Sequence, residues 1–428
     1  MMPPKQPKIS QRLVLRTAIG LLTLAGLVFA YQWYQGRKDN FGGFSTVNSA
    51  GWIAAVERTS DGSQVIYFDD KGEIHRSPGH KAESTEDGPA WQGDGNFLFY
   101  SSDKEGSIFQ IFRWNLEFNH LENRSPGRVS RTHPEPDPFQ ENSVLFLQSG
   151  MGFRLDAAAG RAIRVFPPVA QEEKESDNEG GTLKIDYDLV DRYKLIDAKW
   201  LDGNWLVGVQ RLDEGEALIA QTTDLTPDKT YKSYIVLATG NKISFDVNPE
   251  TGMIYCAIAG FKFNPGAKID PRFMKGTKLV PPFKHVLLKG TLKDFAGGFV
   301  EMGNPQKKHV MWVPDPKQEQ VMSEIAVSPD GAWIAACLGK PDVTMIAIPT
   351  ILAVIPTDAA AQGKALTDGE IYEPNWSPDS STIAFSKREG EQNQSIYTIS
   401  RDGGVAARIS PATGIFSSPK FSPQLPKQ

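Results

Sequence analysis

The chain has 428 residues, 40% of them hydrophobic and 23% charged, the balance of a packed globular protein rather than a disordered one. Its formal net charge is −5, and no basic groove interleaved with aromatics is evident, which argues against nucleic acid as a partner. The length would allow two or three ordinary domains, but one repeat occupies nearly all of it.

The N-terminus is different in kind. Lys5, Lys8, Arg12 and Arg16 precede an apolar run from Thr17 to Ala30, which ends in Tyr31, Trp33 and Tyr34 before Arg37 and Lys38. Residues 1–12 read as a cytoplasmic tail, 13–34 as a transmembrane helix or signal anchor, and 35–47 as a linker. The positive charge ahead of the segment puts the rest of the chain outside the cytoplasm, and the membrane becomes a partner through this helix. A cleaved signal peptide is the competing reading, because Val28-Phe29-Ala30 offers small residues at a suitable spacing.

From residue 48 onward a pattern recurs: a proline or tryptophan strand, a tight turn, then an apolar strand. It begins with the strand Gly51-Trp52-Ile53-Ala54-Ala55-Val56. Gly88-Pro89-Ala90-Trp91-Gln92-Gly93-Asp94-Gly95 followed by Phe97 to Ser102 repeats it in full. Weaker copies lie at Pro136 to Phe146, Trp200 to Val209 and Asn248 to Ala257. Ser328-Pro329-Asp330-Gly331 with Trp333 to Ala336 is clear again, and the fullest copy runs from Glu373 to Pro411. In that copy Pro374, Trp376, the Ser377-Pro378-Asp379-Ser380 turn and the half-buried strand Ile383 to Ser386 lead to Ile396 to Ile399 and a last turn at Asp402-Gly403-Gly404. Apart from two insertions the spacing is roughly 45 to 50 residues, the period of four-stranded blades.

These residues resemble the WSPDG repeat of the TolB-like β-propellers. The resemblance implies an all-β fold: a single β-propeller over 48–428, of seven four-stranded blades, with six as the alternative. TolB itself carries a separate N-terminal α/β domain, whereas this chain has the apolar segment instead. Ser418 to Pro423 repeats the first strand of a blade and then stops, so it is expected to complete the blade begun near Gly51 and close the ring. Cys256 and Cys337, on second strands, are expected as buried free thiols, with a disulfide as the alternative. Insertions interrupt the ring near 170–182, which is acidic, and near 261–317, which is rich in lysine, phenylalanine and proline and is a candidate contact for anionic headgroups or an acidic partner.

No nucleophile elbow, zinc helix or phosphate loop is present in the sequence, so no enzymatic activity and no cofactor are expected. His75 and His80 read as solvated turn residues, and His133 sits at a blade's inner edge without a nucleophile beside it. Aligned on Glu373 before Pro374, the positions that recur around the channel mouth are Gly88 with Asp87 beside it, Glu135, Asp197, Ser244, Glu324 and Ser418. With Asp and Glu only 51 of 428 residues, about one acid would fall there by chance. The candidate binding residues are therefore Asp87, Glu135, Asp197, Glu324 and Glu373. Their mutual repulsion must be answered by backbone amides and nearby bases, by a cation such as Ca2+, or by a basic segment of a partner. The expected role is that of a membrane-anchored, extracytoplasmic (periplasmic) scaffold binding other envelope proteins. The alternative is a glycan- or peptide-binding propeller with hydrolase or lyase activity.

Overall fold

A computed structural model describes residues 51–140, 143–156, 161–166, 194–223, 234–261, 285–300, 308–312, 320–341, 347–358 and 363–423. The chain divides at Ser45 and Thr46 into two compact units, and every described residue belongs to the second. The expected membrane segment, Leu13 to Tyr34, and the acidic insertion near 170–182 lie outside the described residues. No helix among the described residues is long and apolar enough to cross a membrane.

Among the described residues the strands form five separate four-stranded antiparallel sheets and one eight-stranded sheet. The eight-stranded sheet is two four-stranded units joined through one parallel pairing, Gln394 with Ile415. The inner strands of these units are, in chain order, Glu86–Trp91, Thr132–Pro136, Lys194–Asp202, Lys242–Asn248, Val321–Val327, Glu370–Trp376 and Ile415–Phe421. Each touches the next, and the last touches the first, so the contacts run round a closed circuit. That is a β-propeller.

The last inner strand comes from the C-terminal end of the described chain. Ile415–Phe421 pairs antiparallel with Ile53–Thr59, matching Phe421 to Ile53 and Lys420 to Ala54. The first described strand in the chain thus has the last one as its inner neighbour. Trp91 on the next sheet reaches back and donates its indole N–H to the Lys420 carbonyl at 2.8 Å.

Packing between sheets explains the composition of the second strands. Ile53, Ala54, Ala55, Ile383, Ala384, Phe385 and Ser386 are all fully buried, so these strands are covered on both faces rather than half-buried as their alternation suggests. Each lies between two neighbouring sheets: Ala54, Val56, Val65 and Tyr67 pack with Leu98, Tyr100, Phe112 and Trp114 of the next. Cys256 and Cys337 are such second-strand residues and are buried free thiols.

The expected insertion at 261–317 is narrower than its sequence indicates. His285–Thr291 pairs with Met253–Ala259, and Val310–Trp312 pairs with His285–Thr291, so these two segments are the third and fourth strands of the sheet begun by Lys242–Asn248. A short helix, Leu292–Ala296, follows the third strand behind a capping box in which Thr291 and Asp294 satisfy each other's backbone N–H. Several lysines of the region are structural: Lys289 donates to the Thr357 carbonyl and Lys308 pairs with Asp294 at 2.9 Å.

Deleting Ser417 to Gln428 removes the inner strand that covers Ile53–Thr59 and leaves strand edges open. The truncated chain should aggregate and lose its cooperative melting transition, as size-exclusion chromatography and thermal unfolding would record. A soluble truncation with unchanged melting would show that the strand is dispensable.

Candidate functional site

An inner strand is hydrogen-bonded on one side only, and its other backbone groups face the channel, where something must satisfy them. The first answer is proline, which has no N–H to satisfy and sits where pairing is interrupted. Bulges fall between Asp87 and Ala90, between Thr132 and Glu135, and between Tyr372 and Asn375. The residue before the proline takes a left-handed conformation in each: Gly88 (φ 64°), His133 (φ 53°) and Glu373 (φ 56°), as does Ser418 (φ 56°) before Pro419.

This geometry fixes the register around the channel and changes one assignment. His133-Pro134, not Glu135-Pro136, is the counterpart of Glu373-Pro374. One level of the wall is therefore Gly88, His133, Asp197, Ser244, Glu324, Glu373 and Ser418, with three acids rather than four. Two residues further along each strand lies a second level: Ala90, Glu135, Lys199, Asp246, Ala326, Asn375 and Lys420. Asp87 stays apart from both, exposed, with its carboxylate accepting from the Gly88 amide at 2.8 Å.

Side chains of one inner strand accept hydrogen bonds from the backbone of the next. Ser244 Oγ accepts from the Ile325 amide at 3.1 Å, and Asp246 Oδ2 from the Val327 amide at 2.7 Å. Glu324 accepts from the Glu373 amide. Glu373 takes the Ser418 amide at 2.6 Å and the Ser418 hydroxyl at 3.0 Å, together with the Ser386 hydroxyl at 2.9 Å. Asn375 Oδ1 accepts from the Phe421 amide at 2.7 Å. Trp200 and Trp376 add indole donations to the carbonyls of Glu135 and Ala326, at 3.3 and 2.9 Å.

Charge is answered inside the wall as well. Lys199 bridges to Asp246 at 2.8 Å; burial works against its charge, yet Asp246 and Asp197 hold its pKa above the usual lysine value. Burial pushes Glu135 up to about 7 against the pull of Lys199 and Lys420, and pushes Glu324 up to about 7 against the Glu373 amide. The level that holds Asp197, Glu324 and Glu373 carries no ammonium group, whereas that of Glu135 carries two, Lys199 and Lys420.

Between the first two inner strands no such side-chain link is found among the described residues. Gly88 and Ala90 supply no reach, and a cavity of about 530 Å3 opens there, lined by His133, Glu135, Asp197, Lys199, Asp246 and Lys420 among others. A smaller cavity of about 420 Å3, between Asp197, Arg211, Lys242 and Glu324, lies towards the other end of the strands.

Other polar groups form sites that no motif marks. Glu86 is fully buried and accepts from Lys104 Nζ at 3.1 Å, from the Val65 amide at 3.0 Å and from the Ser77 hydroxyl; Lys104 also donates to Tyr100 at 2.8 Å. Burial lowers the Lys104 pKa. Pairing of Glu86–Trp91 with Phe97–Ser102 brings Glu86 to Lys104 and Tyr100, and the neighbouring sheet adds Val65 and Ser77. The turn histidines are not simply solvated. His75 meets Asp69 at 3.0 Å and stacks on Tyr67, and His80 lies 3.2 Å from the Ser84 hydroxyl. Asp69, Glu73 and His75 are close enough to share an ion, but Asp69 already accepts from the amides of Lys71 and Glu73.

No protein-family model and no curated protein sequence matches the chain. Solved structures do resemble it in fold. A prolyl endopeptidase aligns with a TM-score of 0.51 at 9% identity, over 84% of this chain and 48% of its own. TolB from Acinetobacter baumannii aligns at 0.48 and 12% identity over 87% and 67%, and an oligogalacturonate lyase in complex with manganese at 0.49 and 11% over 83% of each chain.

A carboxyl whose folded pKa lies above its unfolded value holds its proton more tightly in the folded chain. The stability this lends is complete below the ordinary glutamate value and is lost as pH rises through about 7. Melting should therefore fall between about pH 5 and about pH 8, and Glu135→Gln should flatten the fall by on the order of 1 to 3 kcal/mol. An unchanged pH profile in that variant would mean that Glu135 ionises as freely in the fold as in the unfolded chain.

Proposed function

We propose that the chain is a seven-bladed propeller that serves as a rigid protein-interaction scaffold in an envelope complex. It is held at the membrane by Leu13 to Tyr34, with the ring on the extracytoplasmic, periplasmic side. The observation that supports this reading most is the stitched wall. Glu324, Glu373, Asp246 and Asn375 are committed to backbone amides of the next strand, which stiffens the ring and leaves its turns to meet a partner.

One end of the ring favours such a partner. Turns between first and second strands, and between third and fourth, lie at the same end of an antiparallel meander. Phe139 stands on a turn of the first kind and Phe118 and Val405 on turns of the second, with exposures of 50%, 72% and 95%. The large cavity is bordered by Gly93, Pro138, Pro249 and Pro423, which places its opening at that end as well. Large apolar side chains held in water on rigid turns are characteristic anchors of protein interfaces.

Affinity purification from solubilised membranes, followed by mass spectrometry, tests the proposal. Stoichiometric protein partners are expected, and Phe118→Ser with Phe139→Ser should lose them while melting stays unchanged. Absence of partners, together with turnover of glycans or peptides by the pure protein, would contradict the scaffold and favour a ligand-processing propeller.

A further inference from the structure

Side chains fasten each inner strand from the fourth to the last to its neighbour. Lys199 with Asp246 joins the third to the fourth, and the indoles of Trp200 and Trp91 join the second to the third and the first to the last. Among the described residues no side-chain hydrogen bond joins the first to the second, which leaves the wall open there. Beside this opening the carboxyl of Glu135 and the ammonium of Lys420 have no hydrogen bond or ion pair to any described residue, although both line the cavity. Glu135 is half-buried and Lys420 exposed to the cavity's solvent. They stand on the strands either side of Glu86–Trp91, whose own contributions at the two levels are Gly88 and Ala90. A niche without side chains thus lies between an acid and a base. Asp197, whose carboxylate likewise has no hydrogen bond or ion pair among the described residues, stands on the next strand beyond Glu135, and His133 faces the cavity from the other level.

Opposite charges that line one cavity without direct pairing are costly to keep unless they are hydrated or meet a ligand of complementary charge, and Lys199 and Lys420 act on Glu135 only through space. Here they are separated by an empty strand position, so they fit two charges on one small molecule. The proline and leucine surface of the same cavity, from Pro89, Pro134 and Leu147, fits short apolar groups. A volume of about 530 Å3 suits a molecule of a few residues.

We propose that this cavity binds a zwitterionic amino acid or short peptide with both ends free, its ammonium on Glu135 and Asp197 and its carboxylate on Lys420. The site opens at the same end as the exposed turns but is lined by none of Phe118, Phe139 and Val405. The paired Lys199 and Asp246 form the floor and hold the charge pattern in place. An ammonium arriving at Glu135 favours its ionised form, so binding releases a proton and strengthens as pH rises through the range in which Glu135 titrates.

Titration of the full-length chain in detergent with tri-alanine, followed by calorimetry, tests the site; N-acetyl-tri-alanine amide is the comparison. Tri-alanine should bind, and the capped peptide should bind at least about tenfold more weakly. Glu135→Gln and Lys420→Met should each cost about tenfold or more, with circular dichroism unchanged. Ala90→Leu, which fills the niche without altering charge, should abolish binding. Affinity should rise from about pH 5.5 to about pH 7, below the range of about 7.7 to 8.0 in which the peptide's own α-amino group loses its proton, and rise less in Glu135→Gln. No heat with tri-alanine, equal binding of the capped peptide, or binding indifferent to both charge variants would overturn the proposal. Loss of envelope partners in the Phe118 and Phe139 variant leaves tri-alanine binding untouched, so the scaffold and the peptide site fail separately.

Discussion

The structure depends on how an inner strand satisfies the backbone that faces the channel. A sheet edge exposes a row of N–H groups, and leaving one buried without a partner costs about 1 to 3 kcal/mol. A ring of sheets has an inner edge in every unit. Proline removes donors at Pro89, Pro134, Pro374 and Pro419, and carboxylates, a serine and an asparagine on the preceding strand accept from amides of the last three inner strands, Val321–Val327, Glu370–Trp376 and Ile415–Phe421. Two of the acids that the sequence groups around the channel, Glu324 and Glu373, are fastenings between neighbouring sheets.

That constraint also accounts for where the ring is open. A stitch needs a side chain of sufficient reach on one strand and a free amide on the next. Gly88 and Ala90 break the series, and the cavity forms beside them. Among the described residues the carboxyls of Glu135 and Asp197 and the ammonium of Lys420 have no hydrogen bond or ion pair, and all three line that cavity. Function is most readily placed where the structural use of the wall lapses, because there the charges have no other assignment.

Much of the fold is legible in the sequence. The proline, tryptophan and turn of each clear repeat mark an inner strand and its reversal, and the orphan repeat from Ser418 to Pro423 marks the closing strand. Glu324, Glu373 and Asp197 are legible as members of one level for the same reason. Glu135 is not, because Pro134 and Pro136 both follow a plausible mouth residue, and only the left-handed His133 and the bulge before Glu135 decide between them. The strand from His285 to Thr291 is hidden by the lysines and prolines around it; what defines it is pairing with Met253–Ala259, a contact local composition does not encode. The buried Glu86 and Lys104 pair is invisible for a related reason, since the pairing of Glu86–Trp91 with Phe97–Ser102 brings them together.

Amide hydrogen exchange measures the wall directly. If Glu373 fastens the closing strand, the Ser418 amide should be protected in the wild type, and Glu373→Ala should speed its exchange at least about tenfold, more than it speeds exchange in the second strands. A Ser418 amide that exchanges as fast as an exposed loop in the wild type, or that is unaffected by the loss of the Glu373 carboxylate, would contradict a stitched wall.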